Sequence, residues 1–274
     1  MLHRVSTPSK GAGAKMTDDT PPVDPARITS KYRVERAVFP EVGAGGFVHF
    51  DQEVAFFNQV HALLRPEHVV LDFGAGRGEF MTQDPVRYRR ELQNLRGRCA
   101  HVDGCDVDPV VAENPTLDAA AVFAPGEPLP YPDARFDLIV SRYVFEHLPD
   151  PAWAARELMR VLKPGGWLCV MTPNKWGYVA LGARLIPNRL HAKALRRLQP
   201  HRLEEDVFPT AYKLNTVADV KRWFGEHADV HHYSTSAVPS YHLGSPALMR
   251  ALLVLHRVLP PALDLGLRFF IRKR

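Results

Sequence analysis

The stretch VVLDFGAGRGEF, Val69 to Phe80, runs an apolar segment directly into glycines at 74, 76 and 78. An apolar run that ends in a glycine-rich turn predicts a buried strand, a loop that can approach a ligand closely, and a following helix. The phosphate-loop pattern G-x-x-x-x-G-K-[ST] is absent, which argues against nucleoside triphosphate hydrolysis. The dinucleotide fingerprint G-x-G-x-x-G is not met either, because the third glycine arrives one residue early. Asp72 stands two residues before the first glycine, giving D-x-G-x-G-x-G. A carboxylate at a strand end beside bare amides suits a zwitterionic ligand such as a free amino-acid moiety. The amides and the helix N-terminus would take its carboxylate, and Asp72 its ammonium.

Alternating strands and helices extend on both sides of this loop. Asp51–Leu64 has helical spacing at Val54, Phe57, Val60 and Leu64, and strand His68–Phe73 follows. Beyond the loop the pattern predicts one helical stretch to about Arg98, then strands over Ala100–Val107, Ala119–Ala124 and Phe136–Ser141. A helix over Trp153–Leu162 ends at Lys163-Pro164-Gly165-Gly166, before strand Trp167–Thr172. Val217–His227 and Pro246–Leu259 read as helices, and His231–Ser236 and Leu267–Arg274 as strands. The alternation implies right-handed crossovers and a mostly parallel α/β sheet.

The chain has 274 residues, is 46% hydrophobic and 24% charged, and carries a net charge of +5. It is too weakly basic to imply a nucleic-acid partner. Cys99, Cys105 and Cys169 have no C-x-x-C spacing and read as reduced core thiols of a cytoplasmic protein, without a zinc site or disulfide framework. Residues 1–30 lack the apolar stretch of a signal peptide, and Met16 is a second candidate start. The expected organisation is a disordered tail over 1–27 and one domain over 28–274. That domain divides into a core (51–174), a helical insertion (175–215) and a C-terminal part (216–274).

Four segments, VLDFGAGRG, GCDVDP, EPLPYPDARFDLIVSRYVFEHLPDP and ELMRVLKPGGWLCVMTPN, occur in the order and spacing of a known family. Over Val69–Asn174 the chain resembles class I S-adenosylmethionine-dependent methyltransferases of the general small-molecule, glycan or lipid type. The resemblance implies a doubly wound, seven-stranded, mostly parallel sheet with an antiparallel final hairpin. Helical insertions would follow strand five and lie between the last two strands. It implies S-adenosyl-L-methionine as cofactor, with Asp72, Gly74, Gly76 and Gly78 at its methionine end. Asp106 would hold the ribose, Gly126 and Glu127 would border the adenine, and Ser141 would line the site. Asp108 is the alternative ribose ligand, although Asp108-Pro109 also reads as a helix start. Many relatives carry an Asp where Pro125 stands, so adenine is expected to be held by backbone amides and apolar packing.

Methyl transfer from a sulfonium is an in-line displacement, and a hydroxyl acceptor also needs its proton removed. The candidates after the fourth strand are His147, Glu146 and Tyr143. The competing reading is that Glu-His caps the turn into Leu148-Pro149. Some quinone-ring O-methyltransferases carry E-x-x-E-H there, thought to hold a divalent metal; this chain has Tyr143 in place of the first carboxylate, and no metal is expected. Between Lys175 and Arg202 stand seven Lys or Arg and no acid. This segment is either a lid over an anionic or glycosylated acceptor, with Arg189, His191 and Arg202 as contacts, or a solvated helical hairpin. Asn174, Trp176 and Tyr178 are further acceptor candidates because they follow a strand end. The acceptor expected is a small molecule, lipid or glycan, methylated at oxygen. A catalytically silent binder of the same fold and a nucleic-acid methyltransferase are the alternatives, the latter lacking N/D-P-P-Y/F after the fourth strand. The apolar helix Pro246–Leu259 suits burial, a homodimer contact or peripheral membrane contact.

Overall fold

The computed structural model describes residues 22–178, 180–181, 209–236, 238–239 and 242–274. Seven strands form one sheet in the order β3-β2-β1-β4-β5-β7-β6. They are β1 (Val69–Phe73), β2 (His101–Asp106), β3 (Ala119–Val122), β4 (Phe136–Arg142), β5 (Leu162–Pro173), β6 (Ala228–Thr235) and β7 (Gly266–Lys273). β1 to β5 pair in parallel, while β7 enters antiparallel between β5 and β6. This is the doubly wound, mostly parallel sheet expected, with its strand order reversing beside β1.

The residue-by-residue alternation of β1 sorts helices onto the two faces. Val70 joins Leu138, Val140 and Met171 under helices α3 (Gln52–Leu63) and α5 (Arg87–Gln93), through Phe56, Phe57, Val60 and Leu92. Leu71 and Phe73 face the other way, against α6 (Pro151–Val161) and α7 (Val217–Phe224), through Trp153, Leu158 and Phe224. Strands clad on both sides explain their near-continuous apolar reading. A smaller N-terminal cluster joins Tyr32 of α1 (Ser30–Val38), Val42 of α2 (Val42–Gly45), Val48 and Val86.

Two local readings are corrected. The helical stretch after the glycine loop is broken into α4 (Phe80–Gln83) and α5, because Pro85 lacks an amide and biases Asp84 out of the helical region. The freed Asp84 carboxylate is used: it takes Arg89 Nε at 2.8 Å, and Arg89 Nη1 reaches Asp51, the N-cap of α3, at 2.7 Å. The Lys163–Gly166 turn does not separate a helix from a strand. α6 stops at Val161, and β5 starts at Leu162 opposite Phe136, with a register shift before Leu138 pairs with Trp167. Gly165, at φ +78°, absorbs this irregularity. The last helix, α8 (Pro246–Val258), is capped by Ser245 and buries only Met249. Cys105 and Cys169 are buried, Cys99 is half-buried, and all three are free thiols. No helix among the described residues is long and apolar enough to cross a membrane.

Candidate active site

The carboxyl ends of β1, β2 and β4 open onto a cavity of about 810 Å³. Ligands of doubly wound sheets bind at this edge, where the strand order reverses. The glycine loop forms one wall. Gly74, Gly76 and Gly78 all have positive φ, at +76°, +51° and +70°, a region where a side chain is strained. They differ in surroundings. A Cβ on Gly74 would come within 2.2 Å of Val144, and one on Gly78 within 2.5 Å of Asn114 Oδ1. A Cβ on Gly76 would meet no atom within 4 Å and would project into the space the cavity provides. Gly74 and Gly78 therefore serve packing, and Gly76 keeps the cavity clear.

The loop amides are not bare, which revises one expectation. Gly74 and Ala75 both donate to the Cys105 carbonyl, at 2.8 and 3.1 Å, and Gly76 donates to Asp106 Oδ2 at 2.9 Å. These bonds fasten the loop to the end of β2 and orient the Asp106 carboxylate, whose Oδ1 accepts from Asp108 at 3.0 Å. Each carboxylate oxygen has a further lone-pair direction, so Asp106 can still accept from vicinal hydroxyls. Asn114 clamps the loop from behind, donating to the carbonyls of Ala75 and Gly76 at 3.0 and 3.1 Å. Asp108 lines the cavity and also caps a short turn through Val110.

The opposite end is apolar and aromatic. Phe123 stacks on Trp153 at 5.8 Å, and Pro125, Gly126, Leu148 and Asp150 complete the wall. Gly126 lines the cavity with nothing within 4 Å of its Cβ direction. Glu127 does not line it; its carbonyl accepts from the Trp153 indole at 2.8 Å. A flat heterocycle fits against this wall without a carboxylate partner at position 125.

Asp72 and Ser141 also stand outside the main cavity. Asp72 borders a small adjoining void with Arg142, Gln93 and Phe57. Burial is the main cause that lifts its carboxyl to about 6, the Arg142 charge opposing and Asp106 adding to it. Ser141 is fully buried in β4, and its hydroxyl has no partner. Arg142 lies between Phe57 and Phe80, at 5.3 and 5.2 Å, and borders both spaces.

The three catalytic candidates separate. His147 lines the cavity with Nδ1 at 3.0 Å from the Pro209 carbonyl. With that nitrogen donating, Nε2 carries the lone pair of the neutral ring. Glu146 is buried behind the wall: its carboxylate accepts from Thr172 Oγ1 at 3.1 Å, and its carbonyl accepts from Ala211 and Tyr212. Tyr143 has the left-handed φ of +56°, a strained conformation for an aromatic residue. The residue is exposed and lines the cavity, its hydroxyl donating to Glu53 Oε1 at 3.1 Å and accepting from Gln52 Nε2 at 3.3 Å. Desolvation of the hydroxyl among its neighbours, and then the Glu53 carboxylate beside it, raise the phenol above its ordinary range. Tyr143 is thus a hydrogen-bonding group and not a base.

Gln52, Glu53 and Arg268 were not anticipated. Arg268 of β7 is fully buried, donates to Gln52 Oε1 at 2.7 Å, and leaves its Nε without a partner. Only the fold brings residues this far apart in sequence together. Among the acceptor candidates, Asn174 is buried and committed to the carbonyls of Ala262 and Asp264, both at 2.9 Å. Tyr178 bonds His256 at 2.8 Å, and Trp176 is exposed; none of the three lines the cavity. Arg189, His191 and Arg202 lie outside the described residues. Among the described residues no three His, Cys, Asp or Glu side chains cluster as a metal site requires.

With this geometry in place, comparison with known proteins is decisive on family. Residues 47–226 match the model of a methyltransferase domain. The chain belongs to the class I methyltransferase family. S-adenosylmethionine is the cofactor that this membership carries, and its parts match the vicinal-hydroxyl acceptor and flat apolar wall described above. An uncharacterised methyltransferase of Bacillus subtilis, YcgJ, is 36% identical over 104 residues, which are 37% of this chain and 39% of that protein. A ubiquinone biosynthesis O-methyltransferase of Paraburkholderia phytofirmans is 29% identical over 173 residues, 56% of this chain and 66% of that one. A ubiquinone/menaquinone C-methyltransferase of Vibrio vulnificus is 31% identical over 120 residues, 40% of this chain and 43% of its own. The chain thus spans about two fifths of the YcgJ and Vibrio proteins. The structure of a SAM-dependent methyltransferase from Aquifex aeolicus, 15% identical, aligns with TM-score 0.46 over 90% of this chain and all of its own.

Proposed function

We propose that the protein transfers a methyl group from S-adenosylmethionine to a hydroxyl of a small molecule, which includes lipids and glycans. The observation that carries the choice of oxygen is His147, on the cavity wall with its ring orientation set by the Pro209 carbonyl. A hydroxyl needs a base at neutral pH, whereas a carboxylate or a neutral amine does not. S-adenosylmethionine supplies an electrophilic methyl on a sulfonium, with Asp106 as partner for its ribose hydroxyls and the Phe123–Trp153 wall against its adenine.

In this reading Nε2 of His147 takes the acceptor proton as the acceptor oxygen attacks the methyl carbon. The carbon–sulfur bond breaks, and its electron pair leaves with the sulfur. Tyr143, kept protonated, has lone-pair capacity beyond Gln52 with which to orient an acceptor hydroxyl.

The test is transfer of labelled methyl from the cofactor into cell extracts, with the product analysed for O-methyl groups. His147→Ala is expected to lower turnover by roughly 10²-fold or more, with cofactor affinity in calorimetry nearly unchanged. Unchanged turnover assigns His147 to structure, and a product methylated at carbon or nitrogen refutes the oxygen assignment. A wild-type protein that fails to bind the cofactor refutes the whole reading.

A further inference from the structure

Helix α8 is nearly all apolar yet buries only Met249. Its exposed apolar residues are Ala247, Leu248, Ala251, Val254, Leu255 and Val258, with Val254 60% and Val258 73% exposed. The spacing 247, 251, 254, 258 is a helical stripe, running about 17 Å along the axis. At 100° per residue the stripe lies diametrically opposite Met249, so the helix shows an apolar face to the core and a second one to solvent. The preceding turn adds Leu243, 67% exposed.

The charges beside the stripe have one sign. Arg250 and Arg257, seven residues apart and both exposed, form a row along one flank. α8 packs on α1, with Arg250 reaching the Ala37 carbonyl at 3.5 Å. α1 exposes Lys31, Arg33 and Arg36, and its one acid, Glu35, is buried and faces Lys31 at 3.8 Å. No Asp or Glu occurs in Pro246–Val258. The two helices expose five cations and no carboxylate, and two of the five, Arg250 and Arg257, flank the apolar stripe. This is the composition of an interfacial helix: apolar residues enter the acyl boundary while arginines stay at the phosphates.

We propose that the α1–α8 face docks on the surface of an anionic bilayer. A second copy of the chain fits this face less well, because it would set Arg250 and Arg257 of each copy beside the other's stripe with no carboxylate on either helix face to pair them. The docking assignment does not depend on methyl transfer. It concerns a surface outside the cavity and is read by binding alone.

The experiment is co-sedimentation of the full chain with phosphatidylcholine vesicles, with and without phosphatidylglycerol. Binding is expected to the anionic vesicles only and to fall with salt. Val254→Glu with Val258→Glu is expected to abolish it. Arg250→Ala with Arg257→Ala is expected to lower the partition coefficient by about thirtyfold, about fivefold per arginine near such a surface. Circular dichroism and sedimentation velocity accompany each variant, and all four side chains are exposed enough for the fold to survive their loss. No binding to anionic vesicles overturns the proposal, as does equal, salt-insensitive binding to neutral ones. A wild-type dimer that Val254→Glu converts to monomer also overturns it and makes the stripe a self-association face.

Discussion

Replacing Asp72 by Asn should stabilise the protein free of cofactor, and the gain should depend on pH. The carboxyl is lifted from 3.8 to about 6, burial outweighing the Arg142 charge. The folded state thus holds a proton over a range where the unfolded chain has already released it. Stability from this group is complete below about pH 4 and is lost as pH rises toward 6. Above that the ionised Asp72 costs about 3 kcal/mol, from 1.36 kcal/mol per pK unit, and nearer 2 where the adjoining void admits water. Asn has nearly the same shape and does not ionise. Asp72→Asn should therefore melt about 4–12 °C higher than wild type at pH 7.5, given roughly 2–4 °C per kcal/mol at this size, and at about the same temperature at pH 4. Thermal unfolding of both proteins from pH 4 to 8 checks this. A pH-independent difference, or an Asn variant that melts lower at pH 7.5, refutes the burial argument. If Asp72 meets the cofactor's ammonium, the same variant binds cofactor more weakly, giving a more stable and less competent protein.

The glycine loop yields a contrasting pair. Gly74→Ala must displace Val144 and adopt positive φ, and should cost about 2–4 kcal/mol in denaturant unfolding. Gly76→Ala meets nothing and should cost about 1 kcal/mol, while calorimetry shows cofactor affinity falling by at least tenfold; equal stability losses would contradict the assigned roles. Arg89→Ala strands Asp84 and Asp51, both largely buried, and should lose about 3–5 kcal/mol by chemical denaturation. Tyr143→Phe keeps the ring but removes the bonds to Glu53 and Gln52. It should raise the acceptor KM more than it lowers kcat, since the phenol orients and does not take the proton.

The sheet was legible because β1, β4 and the Trp167–Thr172 part of β5 are apolar runs with their own turn signals, and because Asp72 and Asp106 stand at or beside strand ends. Boundaries moved where one residue's backbone chemistry overrode periodicity: Pro85 broke a helix, and Gly165 let a strand continue through a turn. Cavity-lining positions were legible where the backbone alone aims them, as at Gly76 and Asp106. Glu146 and Asn174 were expected near ligands because they follow strand ends. A strand end also has to be tied to its neighbours, and both side chains do that. Gln52, Glu53, Asn114 and Arg268 carry no local pattern. They matter because α3, the turn after β2, and β7 converge on one edge of the sheet.

The order β5-β7-β6 has a consequence for how the chain is made. Among the described residues β6 pairs only with β7, and β5 keeps an open edge until β7 fills it. A ribosome that has released everything up to residue 260 has therefore produced two exposed strand edges, on which neighbouring nascent chains can pair. The Arg268–Gln52 bond then joins β7 to α3, 216 residues earlier in the chain. The wall behind Tyr143 is finished by the strand synthesised last among the seven. A chain truncated after residue 265 should accordingly expose protease sites in β6 while β1 to β4 are already protected.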